Sequence, residues 1–229
     1  MRMDNAFPVG RLAQAILLVF LVTGCAYQGS GIDNPVTRRA AWFSFVAGDD
    51  IRASCGIAGG DRYRLVYNGF WHDQVRIYEL GLAQPTQLDQ RVLGPPDLGR
   101  IQIDDLLAAW RGRSATSLLD QASYDRLVGS FAASDMFARP PVGLRLPSDG
   151  FYWTAVGCRA GSYFHNAWLY PSERFAKLTF PAVLQAFDHT GVAINKPDPF
   201  AYVGQYNQDQ IEAERWSIEV EPESFSGPK

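Results

Sequence analysis

Histidine and cysteine are scarce in this chain of 229 residues, which contains three of each. His72, His165 and His189 are too far apart for a helical zinc motif, and no Cys-x-x-Cys pair occurs. The sequence also lacks a glycine-rich phosphate loop and a Gly-x-Ser-x-Gly nucleophile elbow. These absences predict no bound metal, no cofactor and no assignable catalytic residue.

An excess of basic residues is absent as well. The chain has 21 lysines and arginines against 24 aspartates and glutamates, a formal net charge of -3. A protein that holds a phosphate backbone needs a basic surface, so we expect no nucleic-acid partner. Hydrophobic residues make up 47% of the chain and charged residues 20%, which is typical of a globular protein.

The N-terminal apolar run is too short to span a membrane, which takes roughly 20 apolar residues. Residues 12–22 are mostly apolar and follow Arg2 and Arg11. A short apolar run behind basic residues is typical of a cleavable export signal. Residues 1–24 are therefore predicted to be a signal peptide.

The apolar run ends in Val22-Thr23-Gly24-Cys25. This segment resembles the lipobox of bacterial lipoproteins. The resemblance implies cleavage before Cys25 and acylation of that cysteine, for example with palmitate, which would anchor the protein to a lipid bilayer. Ala26 resembles the residue found in lipoproteins that reach the outer membrane, so the resemblance implies the periplasmic face of that membrane in a Gram-negative cell. An ordinary secretory signal or a buried apolar helix is the alternative.

Export would leave two cysteines beside the lipidated one. Cys55 and Cys158 are predicted to form a disulfide, because the compartments outside the cytosol are oxidising. Two separate buried thiols are the alternative.

The rest of the chain divides by composition. Residues 25–35 hold the lipidated cysteine and a flexible tether rich in small and polar residues. Residues 36–220 are predicted to form a single domain. Residues 221–229 are predicted to be a flexible C-terminal tail.

Strand signals recur along the predicted domain. Residues 61–80 predict a hairpin with Asn68-Gly69 as a two-residue turn, which would place Arg64 opposite Asp73. Residues 159–161 predict a second tight hairpin turn. Further strands are predicted at 36–46, 87–93, 151–158, 162–170 and 216–220.

Helix signals lie between the strands. Apolar residues at helical spacing predict one helix through Ile103 and Trp110 and another through Tyr124 and Phe131. Ser117 or Ser123 is the expected cap of the second helix. Pro181 and Gly191 bracket a third. The predicted fold is α+β, an antiparallel sheet built from hairpins with two or three amphipathic helices.

Residues 151–170 are rich in aromatic side chains on both faces of their hairpin. One face can fill a core, and the other either packs under helices or forms an exposed aromatic platform. Such a platform would offer three binding residues to an envelope protein or a glycan, namely Trp153, His165 and Trp168. The core interpretation is favoured, and the platform is the alternative.

These features predict an envelope lipoprotein that binds or assembles with another component and is not an enzyme. The alternative is a periplasmic hydrolase acting on cell-wall or glycan substrates, in which histidines would have to meet a carboxylate or hydroxyl across the fold.

Overall fold

The computed structural model describes residues 26–56, 60–81, 86–198 and 212–228. The predicted signal peptide and Cys25 lie outside these residues. The described chain is an α+β fold with two antiparallel sheets, as the sequence predicts. None of its helices combines the length and apolar character needed to cross a bilayer.

Nine strands form the two sheets. The strand bounds are β1 Arg62–Gly69, β2 Val75–Gly81, β3 Thr86–Leu93, β4 Arg113–Leu119, β5 Arg145–Pro147, β6 Phe151–Arg159, β7 Ser162–Leu169, β8 Ser217–Val220 and β9 Phe225–Ser226. The large sheet has the order β4-β3-β2-β1-β6-β7, and the small sheet has the order β5-β8-β9. All pairings are antiparallel, as expected for strands joined by hairpins.

The helices cover both faces of the large sheet. Their bounds are α1 Pro35–Ala47, α2 Asp49–Ser54, α3 Gln121–Ala133, α4 Glu173–Ala176 and α5 Phe180–Ala186, with short 3-10 turns at Leu98–Arg100 and Ala108–Trp110. In β1, Tyr63, Leu65 and Tyr67 join the core under α3 and α5, whereas Val66 joins the core under α1 and the small sheet. The large sheet is thus the middle of three layers, which is why β1 is buried on both faces.

Several predicted elements are confirmed. Strand β3 covers the predicted segment 87–93, and β8 covers most of 216–220. Strands β6 and β7 form the second hairpin, with positive φ at Ala160 and Gly161 in its tight turn. Helix α3 matches the predicted apolar spacing, but its cap is Asp120, whose carboxylate accepts the backbone N–H of Ser123.

The segment predicted as a strand at 36–46 is a helix, so that prediction is wrong. Asn34 Oδ1 accepts the N–H of Val36 at 2.9 Å, and Pro35 occupies the first turn. Both are helix-start features. The apolar residues Trp42, Phe45 and Val46 then fall on one helical face and are buried.

The Asn68-Gly69 pair does not form the turn of the first hairpin. Both residues belong to β1, and the turn lies at residues 70–74, which places Arg64 opposite Glu79 rather than Asp73. Asn68 donates side-chain hydrogen bonds to the carbonyls of Ser148 and Gly150. These long-range contacts, which no local turn signal encodes, hold the pair in the sheet.

The helix predicted through Ile103 and Trp110 is absent. Gln102 and Asp105 instead bridge a tight turn between the two 3-10 turns. Ile103 and Leu106 are 100% and 64% exposed. Apolar spacing at i, i+3 and i+4 favours a helix only when a facing layer buries the stripe, and here no layer does.

The described residues of the predicted tether and the predicted tail are more ordered than the sequence predicts. In the predicted tether, Tyr27 and Ile32 are 4% and 2% exposed. In the predicted tail, Phe225 and Ser226 form β9 against β8. Burial of single aromatic and aliphatic side chains fixes these segments despite their small and polar neighbours.

Cys55 and Cys158 form a disulfide with a Cα–Cα distance of 5.5 Å. Cys55 follows α2, and Cys158 lies in β6. The bridge ties the helical layer to the large sheet and confirms the predicted pairing.

Candidate functional site

The residues predicted as an aromatic platform are buried. Trp153, His165 and Trp168 are 2%, 5% and 1% exposed. Trp153 and Trp168 face each other across β6 and β7, and both rings contact Phe180 of α5. These side chains therefore do not form an exposed platform, and the core interpretation holds at all three. Helix α5 covers Trp153 and Trp168 through Phe180, and the C-terminal segment covers His165 through Glu221 and Phe225.

His165 has a structural environment. Its Nε2 lies 2.8 Å from the carbonyl oxygen of Glu221, and its ring contacts Phe225. Burial lowers the pKa of His165 below its ordinary value, although the Glu221 carbonyl acts in the opposite direction. A neutral imidazole that donates to a backbone carbonyl fixes the C-terminal segment against β7.

A different aromatic surface lies open beside α1. It is a groove of about 600 Å³, a size typical of ligand sites. We call it the tryptophan groove, lined by Pro35, Arg38, Arg39, Trp42, Phe43, Trp71, Ala213, Glu214 and Trp216. Helix α1, the turn after β1 and the residues before β8 contribute these side chains.

The indole rings of the groove form a continuous cluster. The ring centroids of Trp42 and Trp71 are 4.9 Å apart, as are those of Trp71 and Trp216. Phe43 packs edge-on against Trp216 at 5.3 Å. Trp42 is buried as the floor, whereas Trp71 and Trp216 are partly exposed. The groove therefore offers aromatic surface to a ligand.

Ser148 positions the two exposed tryptophans. Its carbonyl accepts the backbone N–H of Trp71 at 2.9 Å, and its Oγ accepts the backbone N–H of Trp216 at 3.2 Å. Ser148 is itself buried and follows β5. Ser148 thus fixes the backbone of both tryptophans at the end of β5, which gives the groove a fixed shape.

Two N–H donors on groove residues are buried. Among the described residues, neither the indole Nε1 of Trp42 nor the Nη1 of Arg38 has a hydrogen-bond acceptor. An unpaired buried donor costs roughly 1–3 kcal/mol.

Two arginines, Arg38 and Arg39, bring positive charge to the groove. Burial and then the charge of Arg91 lower the pKa of Arg38, and Asp33 offsets part of this effect. Arg39 is exposed beside it. A carboxylate or another anionic group would be favoured at this end of the groove.

Glu214 contributes a carboxylate to the groove lining. Its Oε2 is 3.8 Å from Nε2 of His72, which lies in the turn after β1. In the described part of the chain, no three His, Cys, Asp or Glu side chains are grouped closely enough to hold a metal ion.

Sequence reasoning missed this site because its residues come from three distant segments. Trp71 gave no separate signal, because it follows Asn68-Gly69-Phe70 at a position predicted to begin the second strand of the hairpin, where aromatic residues are common. Nothing local connects Trp71 with Trp42 or with Trp216.

Comparison of the chain with protein-family models, with curated proteins and with solved structures gives no match.

Proposed function

We propose that this protein is a lipid-anchored, non-catalytic binding protein of the bacterial cell envelope, and that the tryptophan groove binds an acidic glycan of that envelope. The observation that carries the binding proposal is the cluster of three indole rings in one groove that Arg38 and Arg39 also line. The lipobox at Val22-Thr23-Gly24-Cys25 supports the anchor.

A sugar chain matches both properties of the groove. Its ring faces are apolar enough to stack on Trp71 and Trp216, and its hydroxyls and carboxylates are rich in acceptor oxygens. Arg38 and Arg39 add the charge that an acidic substituent needs. An apolar ligand would make no use of the charges of Arg38 and Arg39, so it matches less well.

The groove proposal predicts a loss of binding in defined variants. Trp71→Ala and Trp216→Ala should each weaken binding to purified peptidoglycan by about two- to tenfold, since an aromatic contact contributes about 0.5–1.5 kcal/mol. Arg39→Glu, at an exposed position, should weaken binding without affecting folding. Co-sedimentation with insoluble peptidoglycan measures the affinity.

Trp110→Ala is the matched control, because Trp110 is 38% exposed and does not line the groove. Equal affinities of the parent, the groove variants and this control would contradict the proposed site. Absence of binding by the parent to peptidoglycan would contradict the glycan.

The anchor predicts covalent lipid on one residue. In cells fed an alkyne-bearing palmitate analogue, the parent should become labelled and Cys25→Ser should not. The double variant Cys55→Ser, Cys158→Ser should keep the label, because those two cysteines form the disulfide. Label retained by Cys25→Ser would contradict the anchor.

A hydrolase acting on the same polymer is the second candidate, and the approach of His72 to Glu214 favours it. Most glycoside hydrolases use two carboxylates about 5–10 Å apart. Of the described residues that line the groove, Glu214 is the one carboxylate. Release of soluble sugars by the parent, abolished by Glu214→Gln, would replace the binding proposal with this one.

A further inference from the structure

The segment between β3 and β4 exposes an unusual amount of apolar surface. Ile103 stands at the tip of the tight turn and is fully exposed, and Leu98 and Leu106 are each 64% exposed. Val36, at the start of α1, is 69% exposed. We call this surface the apolar tip, formed by Val36, Leu98, Ile101, Ile103, Leu106 and Trp110.

The apolar tip is held in place by polar contacts behind it. Arg100 donates to the carbonyl of Gly112, and Arg111 pairs with Asp105. Arg38 donates to the carbonyl of Trp110 at 2.8 Å, which fixes the tip to α1. The exposed side chains therefore belong to a braced loop, and their exposure does not come from a frayed chain end.

A mostly apolar depression of about 580 Å³ continues the tip onto α1. It is lined by Pro35, Val36, Arg39, Ala40, Leu107 and Trp110. Contiguous apolar surface of this kind marks contact with another apolar phase or partner.

The position of the proposed anchor indicates which phase this is. Tyr27 is buried: its N–H donates to Ser44 Oγ at 2.9 Å, and its ring lies 5.0 Å from that of Phe45. Two residues of extended chain reach about 7 Å, so an acylated Cys25 must hold the C-terminal end of α1, where Ser44 and Phe45 lie, close to the bilayer. Val36 lies nine residues before Phe45 on α1, about 14 Å along the helix axis.

The charges around the apolar tip are also those of a membrane-contact surface. Residues 35–40 and 97–113 contain five arginines and three aspartates, in a chain whose net charge is -3. Arginines beside an apolar loop attract anionic headgroups, and a tryptophan at its base is suited to the membrane–water interface.

From these observations we infer that the apolar tip inserts into the lipid leaflet that holds the acylated Cys25, so that the protein contacts the bilayer at two points. This inference rests on the anchor proposed above and is independent of the glycan. Insertion of such side chains reaches the boundary between headgroups and acyl chains, about 5–10 Å deep.

A single fluorescent label tests the inference. In the acylated protein, Cys55 and Cys158 are joined in the disulfide and Cys25 carries the lipid. The thiol introduced by Ile103→Cys is then the reactive one, and it can be labelled with an environment-sensitive nitrobenzoxadiazole dye. Ile103 is fully exposed, and its replacement should not disturb folding. Lys177→Cys is the matched control, because the Lys177 side chain is 79% exposed and follows α4, which packs on β7 at the other edge of the large sheet.

The full acylated protein is purified from membranes and reconstituted into protein-free vesicles of phosphatidylethanolamine and phosphatidylglycerol. The dye at position 103 should shift to the blue, gain emission several-fold and be quenched by nitroxide lipids, whereas the dye at 177 should do none of these. Vesicles of phosphatidylcholine alone should give a smaller shift at 103, because they lack anionic headgroups.

The remaining outcomes overturn one proposal or the other. Protein that fails to co-sediment with the vesicles contradicts the anchor. Protein that co-sediments while the dye at 103 stays in water contradicts insertion of the apolar tip. A dye at 103 that is shielded in native membranes but not in protein-free vesicles also contradicts it, because a protein partner then covers the tip.

Discussion

Replacing Arg64 with methionine is expected to lower the free energy of unfolding by about 3–5 kcal/mol, the usual effect of removing one partner from a buried ion pair. Arg64 is 1% exposed in the middle of the large sheet. Its guanidinium donates to both carboxylate oxygens of Asp50 at 2.8 and 2.9 Å and to Glu79 at 2.8 Å. It also donates to the carbonyl of Phe45 and lies over the ring of that residue. The variant would leave the buried carboxylate of Asp50 poorly solvated.

Arg62→Met is the matched control for Arg64→Met. Arg62 Nη2 lies 3.5 Å from the same carboxylate of Asp50, but the Arg62 side chain is 39% exposed. Exposed ion pairs contribute about 0–1 kcal/mol, so this variant should be nearly as stable as the parent. Urea unfolding followed by tryptophan fluorescence gives both values. Similar losses in the two variants would show that burial of the pair is not the cause.

The second large effect is expected from removing the disulfide. Cys55 and Cys158 are separated by 103 residues, and the chain-entropy model gives about 4–5 kcal/mol as the upper limit for a loop of this length. The double variant Cys55→Ser, Cys158→Ser should therefore unfold at a much lower urea concentration than the parent. The effect is large because the bridge joins two layers of the fold that are distant in sequence.

A reducing agent provides the control for this prediction. Dithiothreitol should shift the unfolding midpoint of the parent toward that of the double variant and should leave the double variant unchanged. Mass spectrometry after alkylation counts the thiols released. A parent whose midpoint does not respond, although two thiols become alkylated, would contradict the stabilising role of the bridge.

Local signals predicted those elements whose stability is itself local. The tight turn at Ala160 and Gly161 needs positive φ, and the residues around it alternate as a strand pair should. The disulfide was predictable from cysteine number and compartment. Helix α3 has an apolar stripe that α5 and the large sheet bury, so its periodicity was informative.

Elements determined by distant contacts were not predictable in the same way. The β1 turn depends on Ser148 and Gly150, about 80 residues away, which bind the side chain of Asn68. Helix α1 shows its start signals only when Asn34 and Pro35 are assigned to the helix rather than to a tether. Ile103 and Leu106 follow a helical pattern without a layer to cover them.

The candidate site illustrates the same limit. Aromatic density in the sequence pointed to Trp153 and Trp168, yet density is highest where a sheet core needs filling. The open groove takes single tryptophans from segments far apart, Trp71 and Trp216 among them, and one buried serine brings these two together. Composition shows that the chain is rich in aromatic rings, but the topology decides which of them remain uncovered.

If Cys25 is acylated as proposed, the burial of Tyr27 limits how far this protein can act from the membrane. A lipoprotein with a long linker can search the width of the periplasm, whereas an acyl group two residues from a packed tyrosine allows almost no vertical travel. A domain of about 200 residues is about 40 Å across. Any polymer that it captures must therefore pass within about 40 Å of the lipid surface. The protein would then work as a spacer of fixed height between the polymer and the lipid.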